Sequence, residues 1–264
     1  MINNLTNKTS ESYINNILIS LFWSKPYQTT HLLEKKLSKD EKYLVQASLE
    51  YGLLNQLNEN MKSVEPFFAF FKNICEIYGW KKSCNSAIDF FSFLWNLLEG
   101  KNIQINKKIK NYNTDYITLE VPDNIQKINV KSLINNWTNI TQKAISHPSK
   151  RIGNIPLILP LVINRKKNEN VDIDIQKSIS IANVGPKKEK LTWNFLSAIC
   201  KKKSLTSDIK YYTLLLKFNK WYIYDSDKSV SIDEIQMKNN PICENIKKEC
   251  LIIFYALYKE NEKQ

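Results

Sequence analysis

Few side chains in this sequence could do acid–base or metal chemistry, and they are widely spaced. The two histidines are His31, in Tyr27-Gln28-Thr29-Thr30-His31-Leu32-Leu33, and His147, before Pro148. Neither has a second histidine or a cysteine at ligand spacing, so no zinc site is expected and each reads as a surface or packing residue. The cysteines, Cys75, Cys84, Cys200, Cys243 and Cys250, are odd in number and form no CxxC pair, which argues for free thiols in a reducing, intracellular setting, cytoplasmic or nuclear. Five glycines leave no phosphate-cradling loop, and no GxGxxG or GxxxxGK[ST] string occurs. Nucleotide chemistry of those types is excluded, and no cofactor is implied.

Charge offers a second route to function. The chain of 264 residues carries 38 Lys+Arg against 26 Asp+Glu, a formal net charge of +12. Such a field suits nucleic acid or an acidic partner. The cations are almost all lysine, with only Arg151 and Arg165 as arginines, and lysine lacks the bidentate fork that reads guanine. Compositional drift in a chain rich in Asn, Ile and Tyr competes with a functional basic surface. The lysine clusters Lys107 to Lys110, Lys166-Lys167, Lys187 to Lys190 and Lys201 to Lys203 read first as solvated loops. The longest apolar runs, Ile155 to Ile163 and Leu251 to Leu257, are far short of the roughly 20 residues that span a bilayer, so no membrane is expected.

The elements that must position any site change character near Gly100. Before it, Ile14, Ile17, Leu18, Leu21 and Phe22 recur at helical spacing, as do Phe67, Phe70, Phe71, Ile74, Ile77 and Tyr78, and Ala87, Phe90, Phe91, Leu94 and Leu98. A further helix is expected from Glu41 to Leu57. After it, Ile117, Leu119 and Val121 alternate, Leu157 to Ile163 is a short apolar run, and Ile173, Ile175, Ile179 and Ile181 keep a period of two. Phe195 to Ile199, Tyr211 to Phe218, Trp221 to Tyr224 and Leu251 to Leu257 also read as strands, with Asn219-Lys220 as the tight connection of one hairpin. Helices first and strands later give an α+β class.

The order of several segments then carries a resemblance. Leu5-Thr6-Asn7-Lys8-Thr9-Ser10-Glu11-Ser12-Tyr13-Ile14-Asn15-Asn16 aligns without gaps on a GLxNLGNTCYMNS box, and Cys84 to Phe91 on QQDAxEFL. Pro156 to Arg165 is similar to LPxxLxxxLxRF, with Lys177 where a lysine usually follows, and Trp193 to Lys201 to YxLxAVVxH. Lys210 to Asp225 sits on GHYxAY…WxxFDD, and Ile252 to Tyr255 on VLFY. In that order the boxes resemble the ubiquitin-specific proteases, papain-like cysteine peptidases that cleave after the ubiquitin C-terminus. The resemblance implies a single domain over residues 1–264, with a helical thumb (1–100) and a β-sheet palm with reduced fingers (101–264). The fingers count as reduced because no cysteine lies between Cys84 and Cys200 to hold zinc.

On the same resemblance Ser12 occupies the nucleophilic cysteine position, Tyr211 the histidine, Asp225 the orienting carboxylate and Asn7 the oxyanion-hole asparagine. Ala87, Asp89, Phe90 and Tyr212 fall in the binding cleft, and Ser86 replaces the first of two acids that hold the ubiquitin tail. Such catalysis needs a thiolate, an imidazole that shuttles its proton and a group to orient it. Of these only Asp225 is kept. A phenol with a reference pKa near 10 is a poor base at neutral pH. Thr9 in place of the box's glycine and Lys201 in place of a strand-end histidine are further departures. The expectation is therefore a catalytically inactive member that serves as a protein-interaction scaffold for ubiquitin, a ubiquitin-like protein or another protein, its aromatic core (Phe67, Phe70, Phe90, Phe91, Trp95, Trp193, Trp221) retained. The alternatives are a basic RNA- or DNA-associated subunit, as in RNA processing, and a residual hydrolase using Ser12 or an enzyme inactivated by a deliberate Cys-to-Ser change. The bland alternative for Ser10 or Ser12 is a helix N-cap.

Overall fold

The computed structural model describes residues 12–37, 42–54, 65–81, 86–106, 111–139, 150–165, 170–202, 209–225, 228–232 and 241–258. Its helices are α1 (Ser12–Phe22), α2 (Tyr27–Glu34), α3 (Tyr43–Ala47), which continues as a π-helical stretch Ser48–Leu54, α4 (Glu65–Ile77), α5 (Ala87–Leu97), α6 (Val130–Asn139) and α7 (Pro241–Glu249). Its strands are β1 (Ile103–Asn106), β2 (Tyr112–Thr114), β3 (Ile117–Glu120), β4 (Lys127–Asn129), β5 (Arg151–Ile152), β6 (Ile158–Asn164), β7 (Asp172–Asp174), β8 (Ser178–Val184), β9 (Glu189–Lys202), β10 (Lys210–Lys217), β11 (Lys220–Asp225), β12 (Lys228–Ile232) and β13 (Cys250–Leu257). The chain forms two compact units: Met1–Gly100 with Ala198–Met237, and Lys101–Ser197 with Lys238–Gln264. Of the three points where the chain passes from one unit to the other, the second falls inside β9.

The first unit joins the N-terminal helices to the antiparallel hairpin strands β10, β11 and β12. Helix α1 is its core element. Ten of its eleven residues are buried, only Asn15 being partly exposed, as an apolar run Ile17-Leu18-Ile19 continued by Leu21 and Phe22 requires. Helix α4 buries Phe67, Phe68, Phe71, Ile74 and Cys75, whereas Phe70 and Ile77 are 56% and 74% exposed. Phe70 therefore does not belong to the core as its spacing suggested: it and Ile77 lie seven residues apart, on an arc just beside the one centred on Phe71. The connection between β10 and β11 also differs from expectation. Lys217 pairs with Lys220, so the turn residues are Phe218 and Asn219, both at positive φ (49° and 60°). Asn219-Lys220 is one residue too far along because Lys220 already opens the next strand.

In the second unit β13 pairs antiparallel with β6, and β3 adds to β6 in parallel. Strand β8 pairs with β9, with an irregularity between Ile181 and Val184. The run from Ile173 to Ile181 is two strands, β7 and β8, because β7 pairs in parallel with β4 while β8 pairs with β9. Arg165 ties this unit to its last helix: its guanidinium donates to the Lys247 carbonyl at 2.8 Å, to Cys250 Sγ at 3.3 Å and to the Val171 carbonyl at 2.5 Å. Lys187 and Lys188 lie in the β8–β9 turn, while Lys190, Lys201 and Lys202 are strand residues of β9 rather than loop residues. The clusters at 107–110 and 166–167, with Lys203, lie outside the described residues. No helix among the described residues is long and apolar enough to cross a membrane.

Candidate functional site

The candidate triad and cleft positions that fall on described residues, Ser12, Ala87, Asp89, Phe90, Tyr211, Tyr212 and Asp225, all belong to the first unit. Ser12, Asn16 and Ser20 are spaced i, i+4, i+8 on α1 and make a polar stripe along an otherwise apolar helix. Residues 211 and 213 share one face of β10 by the period of two. The stripe meets that face. Asn16, fully buried, donates from Nδ2 to the Ser12 carbonyl at 2.7 Å and to the Tyr211 carbonyl at 3.2 Å. Thr213 Oγ1 donates to Asn16 Oδ1 at 2.6 Å, and Ser20 Oγ donates to Thr213 Oγ1 at 3.5 Å. In a site without water access each of these polar atoms needs its partner, so the seam fixes the register of helix against strand.

That register brings Ser12 and Tyr211 together. Ser12 Oγ accepts the backbone N–H of Tyr211 at 3.3 Å, and Ser12 is buried. The hydroxyl thus reaches across to β10 instead of capping its own helix as the N-cap reading supposed; Ser10 lies outside the described residues. The Tyr211 ring is buried too. It stands edge-on to Tyr13 with centroids 6.5 Å apart, beside Ala87, the first residue of α5. Burial pushes the phenol above its usual pKa, the Ala87 N–H works against that shift, and the Asp89 carboxylate adds to it.

Asp225 is less closely joined to them. It ends β11, one residue beyond the Thr213–Tyr224 pair, and its half-exposed carboxylate lies 3.5 Å from Lys202 Nζ in an ion pair. Its described contact is thus with the end of β9, not with the Tyr211 hydroxyl, which faces α5. The start of α5 is set by Ser86, whose Oγ accepts the N–H groups of Ile88 and Asp89 at 3.2 and 3.5 Å. The residue in place of an acid is therefore a working N-cap. Of the four cleft positions, Ala87, Phe90 and Tyr212 are buried, and Asp89 alone is exposed. Phe90 packs against Tyr13 at 5.7 Å and Trp80 at 5.1 Å, and Trp80 Nε1 donates to the Tyr13 hydroxyl at 3.1 Å. Asn7 lies outside the described residues. His31 stands on α2, its Nδ1 3.0 Å from the Tyr27 carbonyl, and His147 lies outside the described residues.

Asn16, Thr213 and Ser20 were not singled out in the sequence. The signal was present as polar residues at every fourth position of an apolar helix, but their partner sits on a strand nearly two hundred residues away. Among the described residues no group of three His, Cys, Asp or Glu side chains could hold a metal ion.

No family model matches the sequence, and no curated protein does. Solved structures do match. A chain of the SAGA Ubp8/Sgf11/Sus1/Sgf73 DUB module superposes with a TM-score of 0.67 at 14% identity, covering 96% of this chain and 67% of that one. The same module bound to ubiquitin aldehyde gives 0.66 at 12% identity, covering 96% and 69%. The yeast SAGA module with a mutant Sgf73 gives 0.64 at 11%, covering 95% and 67%. The fold is that of a ubiquitin-specific protease. At these identities the likeness is one of fold, and within the ubiquitin-specific-protease frame the first helix and the β10–β11 hairpin carry Ser12, Tyr211 and Asp225.

Proposed function

We propose that the protein is a catalytically inactive ubiquitin-specific-protease-like scaffold that engages other proteins, ubiquitin or a ubiquitin-like protein among them. The observation that carries the reading is the state of the Ser12–Tyr211 pair. A serine nucleophile is activated by a base within hydrogen-bond reach of its oxygen. Here Ser12 Oγ accepts a backbone N–H, while the nearest triad counterpart turns its hydroxyl toward α5 and is held neutral by burial. A neutral phenol cannot take the serine proton near pH 7. The position of Asp225 supports the same reading, since its half-exposed carboxylate lies by Lys202 at the end of β9.

Retention of binding is supported by the fold and by the exposed Asp89 at the head of α5. The matched SAGA modules include complexes with ubiquitin aldehyde and with monoubiquitin. Two measurements on the full chain test the proposal. Incubation with a ubiquitin C-terminal fluorogenic amide is expected to give no turnover above buffer. Titration of the chain into isotope-labelled ubiquitin is expected to shift a contiguous set of ubiquitin resonances. Turnover contradicts inactivity; an unperturbed ubiquitin spectrum removes ubiquitin as a partner and leaves ubiquitin-like and other proteins.

A further inference from the structure

The β10–β11 turn carries a residue that the fold alone does not call for. A two-residue hairpin turn with both φ values positive favours Asn or Gly at its first position, because a bulky side chain there is strained. This chain places Phe218 there, at φ 49°, with its side chain 86% exposed. The ring thus occupies an unfavourable backbone position without being covered by the protein's own core.

Lysines flank it on both sides in the sequence. Lys217 Nζ lies 5.5 Å from the Phe218 ring centroid and 5.1 Å from that of Trp23, which itself packs edge-on to Tyr222 at 4.6 Å. Trp23 and Tyr222 therefore fix the base of the tip. Lys220 follows the turn and is exposed, as is Lys25, two residues beyond Trp23. Residues 23–27 and 217–222 include no acid.

From this placement we infer that the Phe218 tip is a protein-docking anchor that inserts into an apolar pocket rimmed by Asp and Glu on a partner. The proposal rests on the scaffold reading and names the surface it uses. An exposed aromatic flanked in sequence by Lys217 and Lys220 fits the pattern of an interface hot spot, where the ring supplies burial and the neighbouring charges supply complementarity. A single-stranded nucleic acid would call for successive stacking platforms along a groove. Here the second ring, Trp23, is buried and already covered by Lys217, so a protein pocket fits the tip better than a run of bases.

The test is a phage-displayed random peptide library selected against the full chain, followed by fluorescence anisotropy of the enriched synthetic peptides. The peptides are expected to combine Asp or Glu with apolar side chains. Their affinity should fall at least tenfold on Phe218→Gly and several-fold on Lys220→Glu. Phe218→Gly relieves the strained backbone, so its melting temperature should be equal to or above that of the parent. Enriched peptides without acids, no enrichment, unchanged affinity in Phe218→Gly, or a lowered melting temperature in that variant would each overturn the proposal. So would Phe218-dependent binding of oligo-dT or of phosphatidylserine vesicles in place of the peptides. Hydrolysis of the ubiquitin amide would sink the inactive-scaffold reading and is independent of Phe218, so the two failures are distinguishable.

Discussion

Replacing Tyr211 by Phe separates a structural phenol from a catalytic one. The substitution keeps the ring that stands 6.5 Å from Tyr13 and removes only the buried hydroxyl beside the Ala87 backbone at the start of α5. Losing one polar contact of a buried hydroxyl costs about 0.5–1.5 kcal/mol, and in a chain of this size each kcal/mol lowers Tm by about 2–4 °C. The pH dependence has a definite sign. Burial raises the Tyr211 pKa in the folded state, so the neutral phenol stabilises the fold fully below the unfolded value of about 10 and loses that contribution as pH rises through the folded value. The parent should therefore lose stability faster than Tyr211→Phe above about pH 10, and the gap between them should narrow. Urea unfolding followed by tryptophan fluorescence at pH 7 and at pH 10.5 measures both. A Phe variant as stable as the parent at pH 7, or a gap that widens with pH, would refute the structural role of the buried hydroxyl.

Thr213→Val removes the donor that satisfies Asn16 Oδ1 at 2.6 Å inside a fully buried seam, and is expected to cost about 1–3 kcal/mol in the same urea experiment. Ser12→Cys combined with Tyr211→His is expected to leave ubiquitin-amide hydrolysis far below that of an ordinary hydrolase, because Ser86 stands where an acid would hold the ubiquitin tail and a poorly positioned substrate costs about a hundredfold. Turnover of an ordinary hydrolase in that double variant would show the cleft to be competent. Burial pushes the Cys75 thiol up to about 12, so iodoacetamide at pH 8 should leave the Cys75 peptide unmodified in the folded chain and alkylate it in urea; rapid native labelling would contradict the buried, protonated thiol.

How far the residues foretold this arrangement depended on the range of the interaction. The helical phase of α1 and α5 and the alternation of β10 and β11 are local, and the order of the boxes placed Ser12 and Tyr211 on elements that do meet. Phe70 misled because its neighbours Phe67 and Phe71 are buried, and one step around a helix decides which side of the boundary a side chain takes. Helix α6 was passed over although Val130, Leu133, Ile134 and Trp137 repeat at helical spacing and are buried, because the preceding and following segments alternate as strands. The Asn16–Thr213 seam and the Asp225–Lys202 pair were not legible. Each depends on which strand lies beside which element, and spacing along one strand says nothing about its neighbour.

The account turns on Ser12 being without an activating base. An alkyl fluorophosphonate, which an activated serine oxygen attacks at phosphorus with loss of fluoride, mixed in excess with the full chain and read by intact mass spectrometry, tests this without knowledge of the partner. The account predicts that the mass of the chain stays unchanged. A stoichiometric phosphonyl adduct mapped to Ser12 would contradict it.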